Sequence, residues 1–234
     1  MNILAIDTAG RTAAVAVLRD DTLLYECNAN TGLTHSETLL PMVDAALKAC
    51  GLRCKDIDLY GVTAGPGSFT GLRIGLSAVK GMAFDRNVPC AGVSTLEALA
   101  FGINSEGTVV GALDARRGQV YWAGFDLASH ERLTPDTAAP VETLEKFVAH
   151  CKKPLIFVGD GAGLCYNRFG NADGVLDFPA ALRVLRGAGV ALAARRMWES
   201  GLAVPPAQLL PDYHRLSQAE RERAEREAQA HQDV

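Results

Sequence analysis

The stretch 64–84, AGPGSFTGLRIGLSAVKGMAF, limits what this chain can fold into more than any other. Residues 68–84 read as a helix following a Gly-Pro-Gly turn at 65–67. On a helical period, Gly71, Gly75, Ala78 and Met82 line one face, with little bulk until the last. Leu72, Leu76, Val79 and Ala83 lie about 100° round from them. Ile74 widens the apolar sector on the other flank, and only Arg73, Ser77 and Lys80 gather as a polar strip. A helix apolar over so much of its circumference must be covered on more than one side. One cover is its own sheet, approached closely through the glycines. The other is a neighbouring helix, a second chain, or both; on pattern alone a wholly intramolecular core helix is favoured. The stretch is not a Walker A loop, because no Gly-Lys-Ser/Thr follows. Nor is it a nucleophile elbow, since Ser68 directly follows Gly67 where G-x-S-x-G needs a residue between.

Upstream, residues 2–6, 12–18 and 22–28 are short apolar runs, the last two joined by an Arg19-Asp20-Asp21 turn, which predicts an antiparallel meander. Thr34 followed three residues on by Glu37 is a capping-box pattern. The stripe Leu39, Leu40, Val43, Ala46, Leu47 and Cys50 then predicts a helix, with Pro41 expected to kink it or delay its start. Strands at 57–64 and 89–93 and a helix opening at 94–97 complete the order β-β-β-α-β-α-β-α. That is the order of ribonuclease-H-like folds.

A second half repeats the order more loosely. Strands are expected from 108, at 119–125 and at 154–158, with a loop at 135–140 and a helix at 141–150. A long helical stretch at 180–200 is loosened by Gly187 and Gly189. The fold class is α/β, two ribonuclease-H-like subdomains in tandem. The expected divisions are 1–103, 104–202 and a tail at 203–234 that becomes a charged, solvated helix from 217.

The net charge of −4 argues against a protein that grips nucleic acid by global electrostatics. No segment approaches the roughly 18 uninterrupted apolar residues of a membrane span, and residues 1–10 lack the basic region of a signal peptide. Six scattered cysteines without a framework fit a reducing cytoplasm, most as small buried residues. Among the histidines His35, His130, His150, His214 and His231, no two lie within a helical turn, so no His-pair metal site is expected. His35, at a helix start, reads as a cap or surface residue.

Two loops could approach a nucleotide. Asp7-Thr8-Ala9-Gly10, at the end of the first strand, resembles the first phosphate loop of the actin, sugar-kinase and Hsp70 superfamily, with Ala9 in place of the usual glycine. Gly159-Asp160-Gly161 follows a strand and could pass close to a phosphate or adenosine through its backbone. A tight turn explains either loop equally well.

The segment 65–83 is closely similar to the signature of the TsaB (YeaZ) family. Other motifs agree in order: LAIDTA (4–9), HSETLLPMV (35–43), VSTLEALA (93–100), LDARRGQVYWAGF (113–125), VGDGA (158–162) and PDYHR (211–215). The last departs from the family, which commonly has Leu where His214 stands. The resemblance implies an actin-like (ASKHA) fold and a non-catalytic partner of a TsaD-type transferase. That enzyme makes threonylcarbamoyladenosine at position 37 of tRNAs reading codons that begin with A.

It further implies pairing with TsaD through the helices after Thr34 and Ser68. The residues so assigned are His35, Leu39, Leu40, Val43, Leu47, Ser68, Gly71, Leu72, Gly75, Leu76 and Val79. A TsaE-type ATPase would engage the complex, a homodimer would form when the chain is alone, and tRNA would be met only through the complex. No catalytic residue, no metal and no cofactor of its own are expected. ADP or ATP at the complex interface is left open, with Asp7, Thr8, Gly159 and Gly161 as nucleotide candidates. Three rivals stand beside this reading: a sugar or acid kinase, a peptidase, and a structural homodimer unrelated to tRNA. Ala9 and the chain length oppose the first, and the lack of a metal pair or nucleophile with a base opposes the second.

Overall fold

The computed structural model describes residues 1–103 and 105–214; the charged helix expected from 217 lies outside them. Strands β1 (Asn2–Asp7), β2 (Ala13–Arg19) and β3 (Thr22–Ala29) form the expected antiparallel meander. Helix α1 (His35–Ala49), β4 (Leu59–Gly65), α2 (Phe69–Ala83), β5 (Cys90–Ser94) and α3 (Thr95–Phe101) follow. The first sheet has the order β3-β2-β1-β4-β5, with β4 parallel to both β1 and β5. The second half contributes β6 (Thr108–Arg116), β7 (Gln119–Asp126), β8 (Thr137–Pro140), α4 (Glu145–His150), β9 (Leu155–Val158), α5 (Ala162–Phe169) and α6 (Gly187–Glu199). Its sheet, β8-β7-β6-β9, repeats the antiparallel-then-parallel pattern.

Alternation along the strands dictates the layering. Leu4 and Ile6 of β1 turn to one face of the first sheet, against Leu39 and Val43 of α1 and Leu72, Leu76 and Val79 of α2. Ile3 and Ala5 turn to the other face, against α3 and α6. The second sheet meets that same helical layer through Val109, Leu113, Phe125 and Val158. Its outer face is covered by α4, α5 and their flanking turns, around Trp122, Leu144 and Phe157. Helix α3 thus touches both sheets, with α6 beside it on the first.

Several expectations change. Residues 137–140 pair with β7 as a short edge strand, where a proline costs no interior ladder bond. The helix expected at 141–150 begins as a 3₁₀ turn, Val141–Leu144, before α4. The stretch 180–200 is a 3₁₀ turn at Ala180–Leu182, an extended Arg186, and then α6. Gly187 and Gly189 do not loosen α6. A Cβ at Gly187 would press on the Val15–Ala16 backbone, and one at Gly189 would overlap the Ala98 carbonyl, so these glycines let α6 seat between β2 and α3. Helix α6, from the second half of the chain, packs across β1, β2, β4 and β5 of the first sheet.

After α6, Val204 bridges to Cys90 and Leu209 joins the α1–α2 core. Helix α5 went unread behind its glycines, although Ala162, Cys165 and Phe169 recur at helical spacing and are buried. Pro41 neither delays nor breaks α1; it sits on the exposed side. The capping box holds, with the Glu37 carboxylate accepting from the Thr34 N–H at 2.9 Å.

Gly61 of β4 faces α6, and a Cβ there would come within 2.6 Å of the Ala194 Cβ. Gly61→Val is therefore expected to destabilise by about 1–3 kcal/mol. Gly81→Ala, on the exposed side of α2 with nothing within 4 Å, should stabilise by about 0.5–1 kcal/mol. Urea midpoints of the two variants against the parent check both signs.

Candidate functional site

Two neighbouring cavities open between the sheets, of about 340 and 250 Å³. Their walls are the β1–β2 turn, the end of β6, the β9–α5 turn and a strap at 211–214. Asp7 lies at the floor of the smaller one, only 1 % exposed. Its Oδ1 accepts from the Ala9 N–H at 2.9 Å and the Thr63 hydroxyl at 2.7 Å. Burial nevertheless pushes its carboxyl up to about 6, outweighing those hydrogen bonds and the nearby His35 imidazole, which pull the other way.

The rest of the first loop is held down by α2. The Thr8 hydroxyl donates to the Gly71 carbonyl at 2.7 Å, so that side chain is turned into α2. The Ala9 carbonyl accepts from the Ser68 N–H at 2.7 Å, and a Cβ at Gly67 would come within 2.6 Å of the same carbonyl oxygen. His35 Nε2 lies 2.9 Å from the Gly10 carbonyl; a carbonyl can only accept, so this nitrogen carries the proton.

On the opposite wall, Gly159 has φ +95° and its Cβ position overlaps the Ala112 carbonyl. Gly161 faces the Leu113 backbone, 2.7 Å from where its Cβ would stand. Both glycines are required by the close approach of β6. Of the four nucleotide candidates, Asp7 and Gly159 line a cavity and Thr8 and Gly161 do not. Asp160 Oδ1 accepts from the Asp114 N–H at 2.9 Å, so carboxyl groups stand on both sides of the cleft. Among the described residues, no three His, Cys, Asp or Glu side chains group closely enough to hold an ion. The Ser68 hydroxyl caps α2 by accepting from the Gly71 N–H at 3.2 Å.

The α1–α2 set divides by burial. Leu39, Val43, Leu47, Gly71, Leu72, Gly75, Leu76 and Val79 face inward and are covered by the chain's own core. A Cβ at Gly75 would sit 2.5 Å from the Thr8 Oγ1, and one at Gly71 would overlap the Thr8 carbonyl, so these glycines serve the packing of α2 on β1. His35 is half-buried, Ser68 is exposed, and Leu40 is 57 % exposed. The residues that the two helices turn outward include Leu40, Pro41, Asp44, Lys48, Arg73 and Ser77, with Ile74 and Ala78 half-buried.

A cluster that helical spacing did not reveal lies at the start of α2. Tyr213 stacks on Phe69, ring centroids 4.1 Å apart and 16° from parallel. Arg73 lies over the Phe69 ring at 4.2 Å and donates from Nε to the Tyr213 hydroxyl at 2.9 Å. The strap is fixed by the Asp212 N–H on the Ala64 carbonyl, 2.8 Å, where only a glycine at 65 leaves room for the Asp212 carbonyl.

TsaB of Bacillus subtilis, a tRNA threonylcarbamoyladenosine biosynthesis protein, is 32 % identical over 225 residues, covering 94 % of this chain and 96 % of its own. The chain belongs to the TsaB family. TsaB of Escherichia coli is 42 % identical over 131 residues, 53 % of this chain and 55 % of its own. Residues 30–147 match the family model described as TsaD, tRNA N6-adenosine threonylcarbamoyltransferase. A Pseudomonas aeruginosa protein described as similar to the peptidase YeaZ superposes with TM-score 0.75 at 27 % identity, over 92 % of this chain and 99 % of its own. The activator of 2-hydroxyisocaproyl-CoA dehydratase from Clostridium difficile, bound to ADPNP, superposes at TM-score 0.52 and 12 % identity, over 86 % of this chain and 97 % of its own, a likeness of fold alone. The fold is therefore the actin-like one of TsaB and its relatives. No helix among the described residues is long and apolar enough to cross a membrane.

A carboxyl whose folded value is about 6 against 3.8 unfolded binds protons more readily in the native state. Its favourable contribution is complete below about pH 4 and is lost as the pH rises through 6, a change of about 3 kcal/mol. Asp7→Asn keeps the acceptor for Ala9 and Thr63 but cannot ionise. It should be more stable than the parent at pH 7.5, with the gap closing toward pH 4 in urea melts.

Proposed function

We propose that this TsaB-family chain is a non-catalytic partner of a TsaD-type transferase. In this reading it is required for threonylcarbamoyladenosine at position 37 of tRNAs reading codons that begin with A. The observation that carries the reading is the end-to-end match to a TsaB protein of threonylcarbamoyladenosine biosynthesis, at 32 % identity and 94 % coverage. The site supports a non-catalytic role. The β1–β2 turn, where an actin-like enzyme would cradle phosphate, is packed beneath Gly67 and Ser68. The hydroxyl of Ser68 is committed to capping, and carboxyl groups line both walls of the cleft.

What remains for the chain is to present a surface. The outward side of α1 and α2 shows Leu40, Ile74 and Ala78 beside Arg73 and Ser77, a mixed apolar and polar face of the kind protein partners bury. In this reading TsaD docks there, and the same face supports a homodimer when TsaD is absent. A TsaE-type ATPase joins the assembled pair, and tRNA is held by the partner, consistent with a net charge of −4 here. ADP or ATP belongs at the interface of the complex rather than in the occupied β1–β2 loop, and the setting is cytoplasmic. By burying the α1–α2 face, the chain would hold the transferase in its active arrangement.

Reconstitution on unmodified tRNA with the other purified components, read by nucleoside mass spectrometry, tests this directly. Product should require the chain, and the chain alone should make none. Leu40→Asp combined with Ser77→Asp should abolish product while leaving the urea midpoint within about 0.5 kcal/mol of the parent, because both side chains are exposed. Equal product without the chain would overturn the reading.

A further inference from the structure

We propose that Arg73 is the pre-organised anchor by which the α2 face takes a carboxylate of its protein partner, and that Tyr213 is the residue that positions it. This rests on the partner reading above and specifies its chemistry.

Arg73 is exposed on the outward side of α2, between half-buried Ile74 and exposed Ser77. Its guanidinium lies over Phe69 at 4.2 Å, while its Nε is used by the Tyr213 hydroxyl at 2.9 Å. Tyr213 is itself held by its stack on Phe69 and by the backbone bond of Asp212 to Ala64. A long exposed side chain normally surrenders rotamer entropy when it is fixed on binding. Here folding has already fixed the plane and direction of the fork, which removes much of that cost from association.

The fork is fixed but not filled. Arg132, Arg183, Arg186 and Arg195 each pair with a carboxylate, Asp136, Asp177, Glu26 and Asp21 respectively. The Nη1 and Nη2 of Arg73 make no hydrogen bond to any described residue. The two terminal nitrogens of a planar guanidinium, with Nε occupied, match a carboxylate end-on through two parallel bonds. A phosphate could use the same fork. However, nucleic-acid affinity comes from several cations acting together. Around Arg73 the α2 surface offers Ile74, Ser77 and Ala78, with only half-buried Lys80 in addition. Those neighbours fit a protein surface with an acidic side chain at its centre.

The strap matters because it comes from the far end of the chain. Residues 211–214 cross the β4–α2 turn and fix Arg73 on this face of α2 before any partner arrives. Tyr213 therefore acts through Arg73 and need not touch the partner.

The test measures binding of the purified TsaD-type protein from the same organism to the full chain, by surface plasmon resonance at two salt concentrations. Arg73→Gln should weaken binding by about tenfold or more, mainly through faster dissociation. Arg73→Lys should fail to restore it, because an ammonium cannot form the paired bonds or lie flat on Phe69. Tyr213→Phe keeps the ring stack and removes only the hydroxyl, so it should weaken binding several-fold with an unchanged melting temperature. Ser77→Ala, on the same face, should stay within twofold.

Parent-like affinity in Arg73→Gln, or full rescue by Arg73→Lys, would overturn the anchor while leaving the partner reading standing. A parent chain that does not bind the TsaD-type protein at all would sink both. If Arg73→Gln lost affinity for tRNA alone and none for the protein, the carboxylate assignment would be wrong.

Discussion

Helix α2 lies so close to the end of β1 that no side chain fits between them. The contact is made at Gly71 and Gly75, with the Thr8 hydroxyl donating to the Gly71 carbonyl at 2.7 Å. Much else follows from this approach. It turns Leu72, Leu76 and Val79 into the core and leaves Arg73 and Ser77 facing outward. It brings Gly67 and Ser68 down onto the Ala9 carbonyl, so the loop an actin-like enzyme would offer to phosphate is filled by the protein's own backbone. The same packing that forms the outward face thus closes the loop behind it.

The central layer sets the second constraint. Helix α3 touches both sheets, and α6 packs beside it on the first sheet, reaching its place through small residues: Gly187, Gly189, Ala191, Ala193 and Ala194 are buried. Glu26 of β3 fixes its start, accepting from the Ala188 N–H at 2.9 Å and pairing with Arg186. Helix α3 joins the two halves through one contiguous core. Asp7, at the floor of the smaller cavity, is a buried carboxyl whose ionisation opposes folding near neutral pH.

Much of this was legible in the residues. The β-β-β-α-β-α-β-α order of the first half came from hydrophobic period and turn residues, and the Thr34–Glu37 cap and the Ser68 turn were placed correctly. Local signals of this kind depend on neighbours within a few residues. The second half was read less well because its signals are weak or doubled: β8 is four residues long, α5 hides behind glycines, and Gly187 begins a helix it was thought to loosen.

The sequence by itself determined the family, the element order and the unusual apolar breadth of α2, since composition, period and ordered motifs are properties of neighbouring residues. Only the tertiary structure decided which side of that helix is covered. A glycine that meets a strand and a glycine that meets a partner look identical in a row of letters, and the difference lies in Thr8, more than sixty residues away. Nor could spacing join Arg73 to Tyr213, which lie 140 positions apart and meet only because the strap crosses the β4–α2 turn. Contacts between distant segments are set by how the layers stack, and that stacking is a property of the whole fold.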